Sequence, residues 1–352
     1  MPPLRTLLRK ASISMAVLGG VFLVTETLTR SLEPGPFSLL DRNPYVGHPE
    51  DPRVVLHQPG FEGRWDGTWY QINPLGLRGP AIEADASEDR YRIVALGDSC
   101  TFGKGVAEVD TWPRQLESLL GEALSGVRRV VVANLGVNGY SGTTYERIFR
   151  EVGLGLEPDL VVVGYNLNDF PNAIRAVDEY VFGNRKARRL ISQDLRDLLG
   201  RTATYRWLRQ AYYHSQREDD WKQAEAFARG TRASSADDDA WIEQVKYLES
   251  IRDQASAIGA KTAVFLFPYE SQVYLDSFDT APIERLRETC ADLELPFVDL
   301  AEEFRRCARQ SDPVGELFLK GDRYHPNREG YKIVAKKVMG LIVGRKWAQK
   351  GD

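Results

Sequence analysis

Three runs rich in Val, Ile and Leu, each closed by a short polar or glycine-bearing stretch, constrain this chain more than any other feature. The runs are Arg92-Ile93-Val94-Ala95-Leu96, Val130-Val131-Val132-Ala133 and Asp159-Leu160-Val161-Val162-Val163. Gly97-Asp98-Ser99 follows the first, Asn134-Leu135-Gly136-Val137-Asn138-Gly139 the second, and Asn166-Leu167-Asn168-Asp169 comes shortly after the third. Continuous apolar runs of this length read as strands buried on both faces, the habit of a parallel sheet. Ligands of open α/β sheets bind beyond the carboxyl ends of the strands. Three polar stretches at three strand ends therefore point into one crevice.

The rest of the chain fits that frame. Residues 261–268 and 296–300 read as a fourth strand and a short fifth. Thr111-Trp112-Pro113 opens a helix, with Thr111 as N-cap, Pro113 in the first turn, and Leu116, Leu119, Leu120 and Ala123 as the buried face. Residues 141–153 read as a helix ended by Gly153. Trp241, Val245, Leu248 and Ile251 keep helical spacing, as do Tyr331, Val334, Val338 and Ile342 behind an Asn327 N-cap. Strands alternating with helices predict an α/β domain over residues 89–348, a mostly parallel five-stranded sheet with helices on both faces. Residues 31–88 are turn-rich and predict a small β-rich segment. Within it Arg64-Trp65-Asp66-Gly67-Thr68-Trp69-Tyr70 reads as a hairpin on a type I′ turn, its tryptophans suited to internal packing more than to sugar stacking.

Residues 170–240 form a charged, aromatic excursion with Tyr205, Trp207, Tyr212, Tyr213 and Trp221, expected to be a helical lid-like insertion over the crevice. Its cluster Arg185, Lys186, Arg188 and Arg189 reads as a solvated helix face, and residues 230–239 as a loop.

Asp322-Arg323-Tyr324-His325-Pro326, near the C-terminus, supplies the remaining chemistry. A serine hydroxyl needs an adjacent base to become a nucleophile at neutral pH. Asp322, three residues before His325, can bond one imidazole nitrogen and leave the other free to take the Ser99 proton. Asp98 and Asp169 read as structural groups bonding local backbone. These four stretches, in this order, resemble the SGNH (GDSL) hydrolase family over residues 91–347. Gly97-Asp98-Ser99 with Gly103, Asn134 with Gly139, and Asp322-x-x-His325-Pro326 all match. The third stretch departs, because the family reads Gly-x-Asn-Asp and Asn166 stands at that glycine. The resemblance implies a three-layer α/β/α, flavodoxin-like fold and ester hydrolysis through Ser99, His325 and Asp322. It also implies an oxyanion hole made by the backbone N–H groups of Ser99 and Gly139 and the side-chain amide of Asn168.

Composition removes other classes. A net charge of −4 offers no dominant basic face for nucleic acid. Three cysteines, Cys100, Cys290 and Cys307, build no disulfide framework, and Cys100 reads as a small packing residue beside the nucleophile. His48, His57 and His214 have no carboxylate or cysteine at ligand spacing, so no metal or cofactor is expected. The phosphate-loop pattern fails, because five residues separate Gly97 from Gly103-Lys104 and Gly105 stands where a hydroxyl is needed.

At the N-terminus Arg5, Arg9 and Lys10 precede an uncharged stretch over residues 11–25, short for a membrane span. No small-residue cleavage site follows in Thr25-Glu26-Thr27-Leu28. Residues 1–30 are read as an uncleaved signal-anchor, ahead of a cleaved signal peptide or a soluble helix, with the rest of the chain extracytoplasmic. That placement favours an acylated glycan or lipid as substrate. An O-acyltransferase using the same triad and a non-catalytic envelope-binding protein are the alternatives, and neither fold nor triad separates hydrolysis from transfer.

Overall fold

The structure is a computed structural model that describes residues 4–32, 44–51, 54–65, 67–82, 90–125, 128–166, 169, 202, 204–205, 208, 235–274, 280–310, 317–319, 322 and 324–349. Its centre is a five-stranded sheet of β5 (Arg90–Gly97), β6 (Arg129–Asn134), β7 (Leu160–Tyr165), β8 (Lys261–Leu266) and β9 (Phe297–Asp299). Their order is β6-β5-β7-β8-β9 and every pairing is parallel. The chain steps outward from β5 to β6, then returns past β5 to β7. That reversal opens a crevice at the carboxyl ends of β5 and its neighbours.

Two cores sandwich the sheet, divided by the two-residue period of a strand. Val94, Leu96, Val161 and Val163 face one core, which also holds Tyr145, Leu248, Ile251 and Leu286. Ile93, Ala95, Leu160 and Val162 face the other, with Trp112, Leu116, Phe304 and Val338. The first core is roofed by α4 (Gly142–Ile148), α5 (Ser235–Ala257) and α7 (Ala281–Asp292). The second is roofed by α3 (Trp112–Ala123), α8 (Ala301–Gln310) and α9 (Arg328–Gly344). Two short helices, α2 (Ser99–Phe102) and α6 (Glu270–Tyr274), follow β5 and β8. This is the three-layer α/β/α arrangement expected of the sequence.

Most local signals are realised. Thr111 accepts from the Arg114 N–H at the start of α3, and Asn327 accepts from the N–H groups of Glu329 and Gly330 at 2.9 and 3.1 Å. Three details differ. Ala123 is exposed, and Leu124, four residues beyond Leu120, packs inward instead. The helix expected over residues 141–153 ends at Ile148, then widens into a π turn at Phe149–Gly153 and tightens at Leu154–Leu156, with Glu157 left-handed at φ 48°. Gly153 serves packing rather than termination, since a Cβ there would lie 2.5 Å from Phe149 Cδ2. The loop expected over residues 230–239 is helical from Ser235, where Ser and Asp residues suit a helix start as well as a loop. Residues 230–234 lie outside the described residues.

The N-terminal helix α1 (Leu4–Leu32) is 29 residues long, well beyond the uncharged stretch that defined it in the sequence. Its Ser12–Thr29 window has a mean hydropathy of 1.5, so the helix is long and apolar enough to cross a membrane. Ile13, Leu18, Phe22 and Val24 are exposed along it. Glu26, within that window, accepts from the Thr204 N–H and hydroxyl at 2.9 Å each.

Residues 44–82 hold two antiparallel pairs, β1 (Tyr45–Gly47) with β2 (Val55–His57), and β3 (Glu62–Trp65) with β4 (Thr68–Gln71). Trp65 pairs with Thr68 across the expected two-residue turn, and Gly67 has φ 81°. Trp65 packs on a third, small core of Phe61, Tyr70, Ile72 and Phe102, whereas Trp69 is 59% exposed. Phe102 belongs to α2, so this core joins the N-terminal segment to the central domain. His57 stacks on Phe102 with centroids 4.6 Å apart. Burial, aided by the Arg78 charge, pulls its pKa down to about 3.

His57 is therefore neutral in the folded chain and titrates near its ordinary value of 6.5 when unfolded. The stability linked to it is complete above pH 6.5 and is lost as pH falls toward 3, at up to about 1.4 kcal/mol per pH unit. Urea unfolding at pH 7 and pH 5 checks this: His57→Phe, which keeps a stacking ring, is expected to reduce the acid-side loss by one proton's slope.

Candidate active site

The first strand-end stretch is seated by close packing. Ser99 begins α2 directly beyond β5, and Asp98 caps it by accepting from the Cys100 N–H at 2.8 Å. Thr101, fully buried on the same short helix, lies against two strand-end glycines. A Cβ on Gly97 would come within 2.1 Å of Thr101 Oγ1, and one on Gly164 within 2.4 Å. The second stretch approaches as closely, for a Cβ on Gly136 would lie 2.2 Å from the Phe102 nitrogen. Asn134 ties the two together. Its amide donates to the Thr101 carbonyl at 3.0 Å, and its Oδ1 accepts from the Gly136 N–H at 3.0 Å.

His325 reaches Ser99 from the far end of the chain. Nε2 is 2.7 Å from Ser99 Oγ, and Nδ1 is 2.7 Å from Asp322 Oδ2. The other oxygen of Asp322 accepts from the N–H groups of Tyr324 and His325 at 3.0 and 3.1 Å. Burial would raise the Asp322 pKa, but the His325 ring and these N–H groups outweigh it and hold the carboxyl well below its ordinary range. An ionised Asp322 assigns the hydrogen to Nδ1, leaving the Nε2 lone pair for the Ser99 hydroxyl.

Of the three oxyanion donors expected, Ser99 lies at the start of α2 and Gly139 adopts φ 79°, a conformation that suits glycine. Asn168 lies outside the described residues, as do Leu167, the cluster of Arg185, Lys186, Arg188 and Arg189, His214, and the aromatics Trp207, Tyr212, Tyr213 and Trp221.

Behind Ser99 sits a buried polar layer. Asp98 and Asp169 are both fully buried, and each accepts a local backbone N–H, Asp169 from Asn166 at 2.8 Å. Tyr145 adds a hydroxyl 2.8 Å from both oxygens of Asp169, a partner on a separate helix that no local sequence pattern announces. Burial first, and the neighbouring Asp98 charge second, push the Asp169 pKa well up. The asparagine that replaces the expected glycine turns its side chain inward, where Asn166 Nδ2 lies 3.1 Å from Cys100 Sγ. Cys100 is fully buried, and burial raises its thiol well above the ordinary value, so it persists as a thiol rather than a thiolate nucleophile.

His48 differs from its sequence reading. Its Nε2 lies 3.0 Å from Glu151 Oε2, a carboxylate 103 residues away in the chain that α4 and its π turn bring alongside. Arg147 flanks the same pair. Among the described residues no group of three or more His, Cys, Asp and Glu side chains has the arrangement of a metal site.

A serine beside an imidazole beside a carboxylate, at the switch point of a doubly wound sheet, is an arrangement able to transfer an acyl group to water or alcohol. Residues 95–333, more than half of the chain, match the GDSL-like lipase/acylhydrolase family. The chain belongs to that family and is a serine hydrolase acting on ester bonds. Comparison with curated proteins finds no match. Among solved structures it is similar to the acetyl xylan esterase AlAXEase, at 15% identity and TM-score 0.43 over 71% of this chain and 99% of that one. It is similar to LAE5, an α/β hydrolase from the metagenome of Lake Arreo, Spain, at 15% identity and TM-score 0.44 over 76% and 99%. A variant of Axe2, an acetyl-xylooligosaccharide esterase from Geobacillus Stearmophilus, matches at 14% identity and TM-score 0.44 over 74% and 95%.

Asp322→Asn keeps the shape but removes the charge that sets the His325 tautomer. It is expected to lower kcat on a chromogenic ester by roughly 10⁴-fold with little change in KM. Because the folded pKa of Asp322 is depressed, its charge contributes stability that is complete above the ordinary carboxyl value of 3.8 and is lost as pH falls further. The stability gap between wild type and Asp322→Asn, read from urea midpoints, is expected to hold from pH 7 to pH 5 and shrink only below about 4.

Proposed function

We propose that this chain is a membrane-anchored serine esterase that hydrolyses O-acyl esters, for example O-acetyl groups, of a glycan or lipid. The observation that carries the reading is the unbroken relay from Ser99 Oγ through His325 to Asp322, 2.7 Å at each link. Ser99 Oγ attacks the acyl carbonyl carbon while His325 Nε2 takes the hydroxyl proton. The carbonyl oxygen becomes an oxyanion and is met by the N–H groups of Ser99 and Gly139 and the amide of Asn168. As the intermediate collapses, the bond to the alcohol oxygen breaks and His325 returns its proton to that alcohol. Water then attacks the acyl-serine with His325 again as base, releasing the acid and restoring Ser99. Asp322 stays ionised throughout and steadies the imidazolium.

The anchor is α1, whose apolar window and exposed Ile13, Leu18, Phe22 and Val24 suit a lipid environment. Arg5, Arg9 and Lys10 favour a cytoplasmic N-terminus, which sends the catalytic domain outward. An acylated envelope glycan or lipid fits that placement.

Hydrolysis of p-nitrophenyl acetate, butyrate and octanoate by the full chain in detergent micelles tests the reading. Wild type is expected to turn over the short esters, and Ser99→Ala to lose on the order of 10⁴–10⁶-fold in kcat. Equal activity in wild type and Ser99→Ala would sink the assignment of Ser99. Folded wild type that is acylated but not deacylated by water, and that releases the acyl group to an added sugar, would make the protein an O-acyltransferase instead.

A further inference from the structure

The candidate triad lies wholly in the central domain, yet α2 is gripped from outside it. The grip begins with a rigid turn in the N-terminal segment. Asn73 Oδ1 accepts from the N–H groups of Leu75 and Leu77 at 2.9 and 3.1 Å, its amide donates to the Pro80 carbonyl at 3.1 Å, and Gly76 supplies φ 78°. The turn delivers Arg78, whose backbone bridges to Ile72 on one side and to Asn134 on the other. Its side chain is then driven inward, and the residue is only 4% exposed.

There the guanidinium meets the C-terminal end of α2 and the turn that follows it. One terminal nitrogen donates to the Phe102 carbonyl at 2.5 Å and to the Gly103 carbonyl, and the other donates to the Val106 carbonyl at 2.6 Å. Arg78 Cζ lies 4.7 Å from the centroids of both the Tyr70 and Phe102 rings. The Tyr70 hydroxyl accepts from the Gly105 N–H at 3.1 Å, so one more group from the N-terminal segment holds the same turn. A helix end leaves carbonyls without intrahelical partners, and a cation is favoured there. The Asn134 amide also donates to the Thr101 and Phe102 carbonyls of this end, at 3.0 and 3.4 Å, and Arg78 extends the hold to the Gly103 and Val106 carbonyls. Ser99 sits one turn away, its carbonyl accepting from the N–H groups of Gly103 and Lys104 at 2.9 and 3.0 Å. The turn that Arg78 holds is therefore bonded directly to the residue that carries the attacking oxygen.

We propose that Arg78 is a positioning residue for Ser99, and that residues 44–82 form part of the active site by fixing the C-terminal end of α2. The proposal rests on the reading of Ser99 as nucleophile. Arg78 touches no reacting atom; it acts through Phe102, Gly103 and Val106. A planar fork reaches three carbonyls from two separated nitrogens, whereas a lysine ammonium gathers its donors on one nitrogen. Misplacing a nucleophile by about 1 Å costs on the order of 10²-fold in rate.

The test compares wild type, Arg78→Lys, Tyr70→Phe and Ser99→Ala as full chains in detergent. The readouts are kcat and KM on p-nitrophenyl acetate, the rate constant for inactivation by the organophosphate paraoxon, and the urea unfolding midpoint. Arg78→Lys is expected to lower kcat and the inactivation rate together by about 10²-fold, with KM within twofold. Tyr70→Phe, which removes only the hydroxyl on Gly105, is expected to lower both rates several-fold in the same proportion. A folded Arg78→Lys with kcat within threefold of wild type would overturn the proposal. If Arg78→Lys does not fold, Tyr70→Phe decides: unchanged kcat and inactivation rate overturn it, and a matched loss of both supports it. Wild type that neither turns over the ester nor reacts with paraoxon would instead overturn the reading of Ser99 on which the proposal rests.

Discussion

Everything at the candidate site depends on how closely α2 lies on the strand ends. The helix begins directly beyond β5, and its buried Thr101 fills the space that side chains on Gly97 and Gly164 would need. The backbone of Phe102 occupies the space beside Gly136 in the same way. Gly97, Gly136 and Gly164, at three strand ends, thus let one short helix sink into the carboxyl edge of the sheet. Its first residue, Ser99, is left at the mouth of the crevice where the strand order reverses. A larger residue at any of these positions would have to displace backbone or a buried side chain.

Burial raises the pKa of both Asp322 and Asp169 around this helix, and their different partners then move them in opposite directions. Asp322 receives an imidazole and two backbone N–H groups, and these keep it ionised despite burial. Asp169 is enclosed more completely and lies near the Asp98 charge, so its pKa is pushed up although the Asn166 N–H and the Tyr145 hydroxyl bond to it. The ionised group sits beside the imidazole, where its charge can steady a proton transfer. The other belongs to the layer that supports the strand ends. Asn166 completes that layer through the Cys100 thiol, which gives the glycine-to-asparagine departure a structural use.

The N-terminal segment is bound into this arrangement through a small aromatic core. His57 and Tyr70 stack on Phe102, and Arg78 lies over the Tyr70 and Phe102 rings. The residues between α1 and the sheet therefore do more than connect an apolar helix to a domain. Near the C-terminal end of α1, Glu26 finds its hydrogen bonds at Thr204, so a carboxylate within the apolar window has polar partners.

The sheet could be read from local pattern, because Val-rich runs followed by polar stretches favour burial between two layers of helices with their polar ends together. The sequence by itself also determined the caps at Thr111 and Asn327, the hairpin turn at Gly67 and the pairing of Asp322 with His325, since each is a contact within a few residues. Contacts between distant parts of the chain were decided by the tertiary structure. Ser99 and His325 are 226 residues apart, and their approach was legible through side-chain chemistry and the order of four motifs, not through any local contact. Tyr145 on Asp169, Glu151 on His48 and Arg78 on the end of α2 carried no such signal. An arginine in a turn-rich stretch reads as a solvated side chain. Only the folded chain, by gathering the Phe102, Gly103 and Val106 carbonyls at a buried helix end, creates a place where its charge is worth burying.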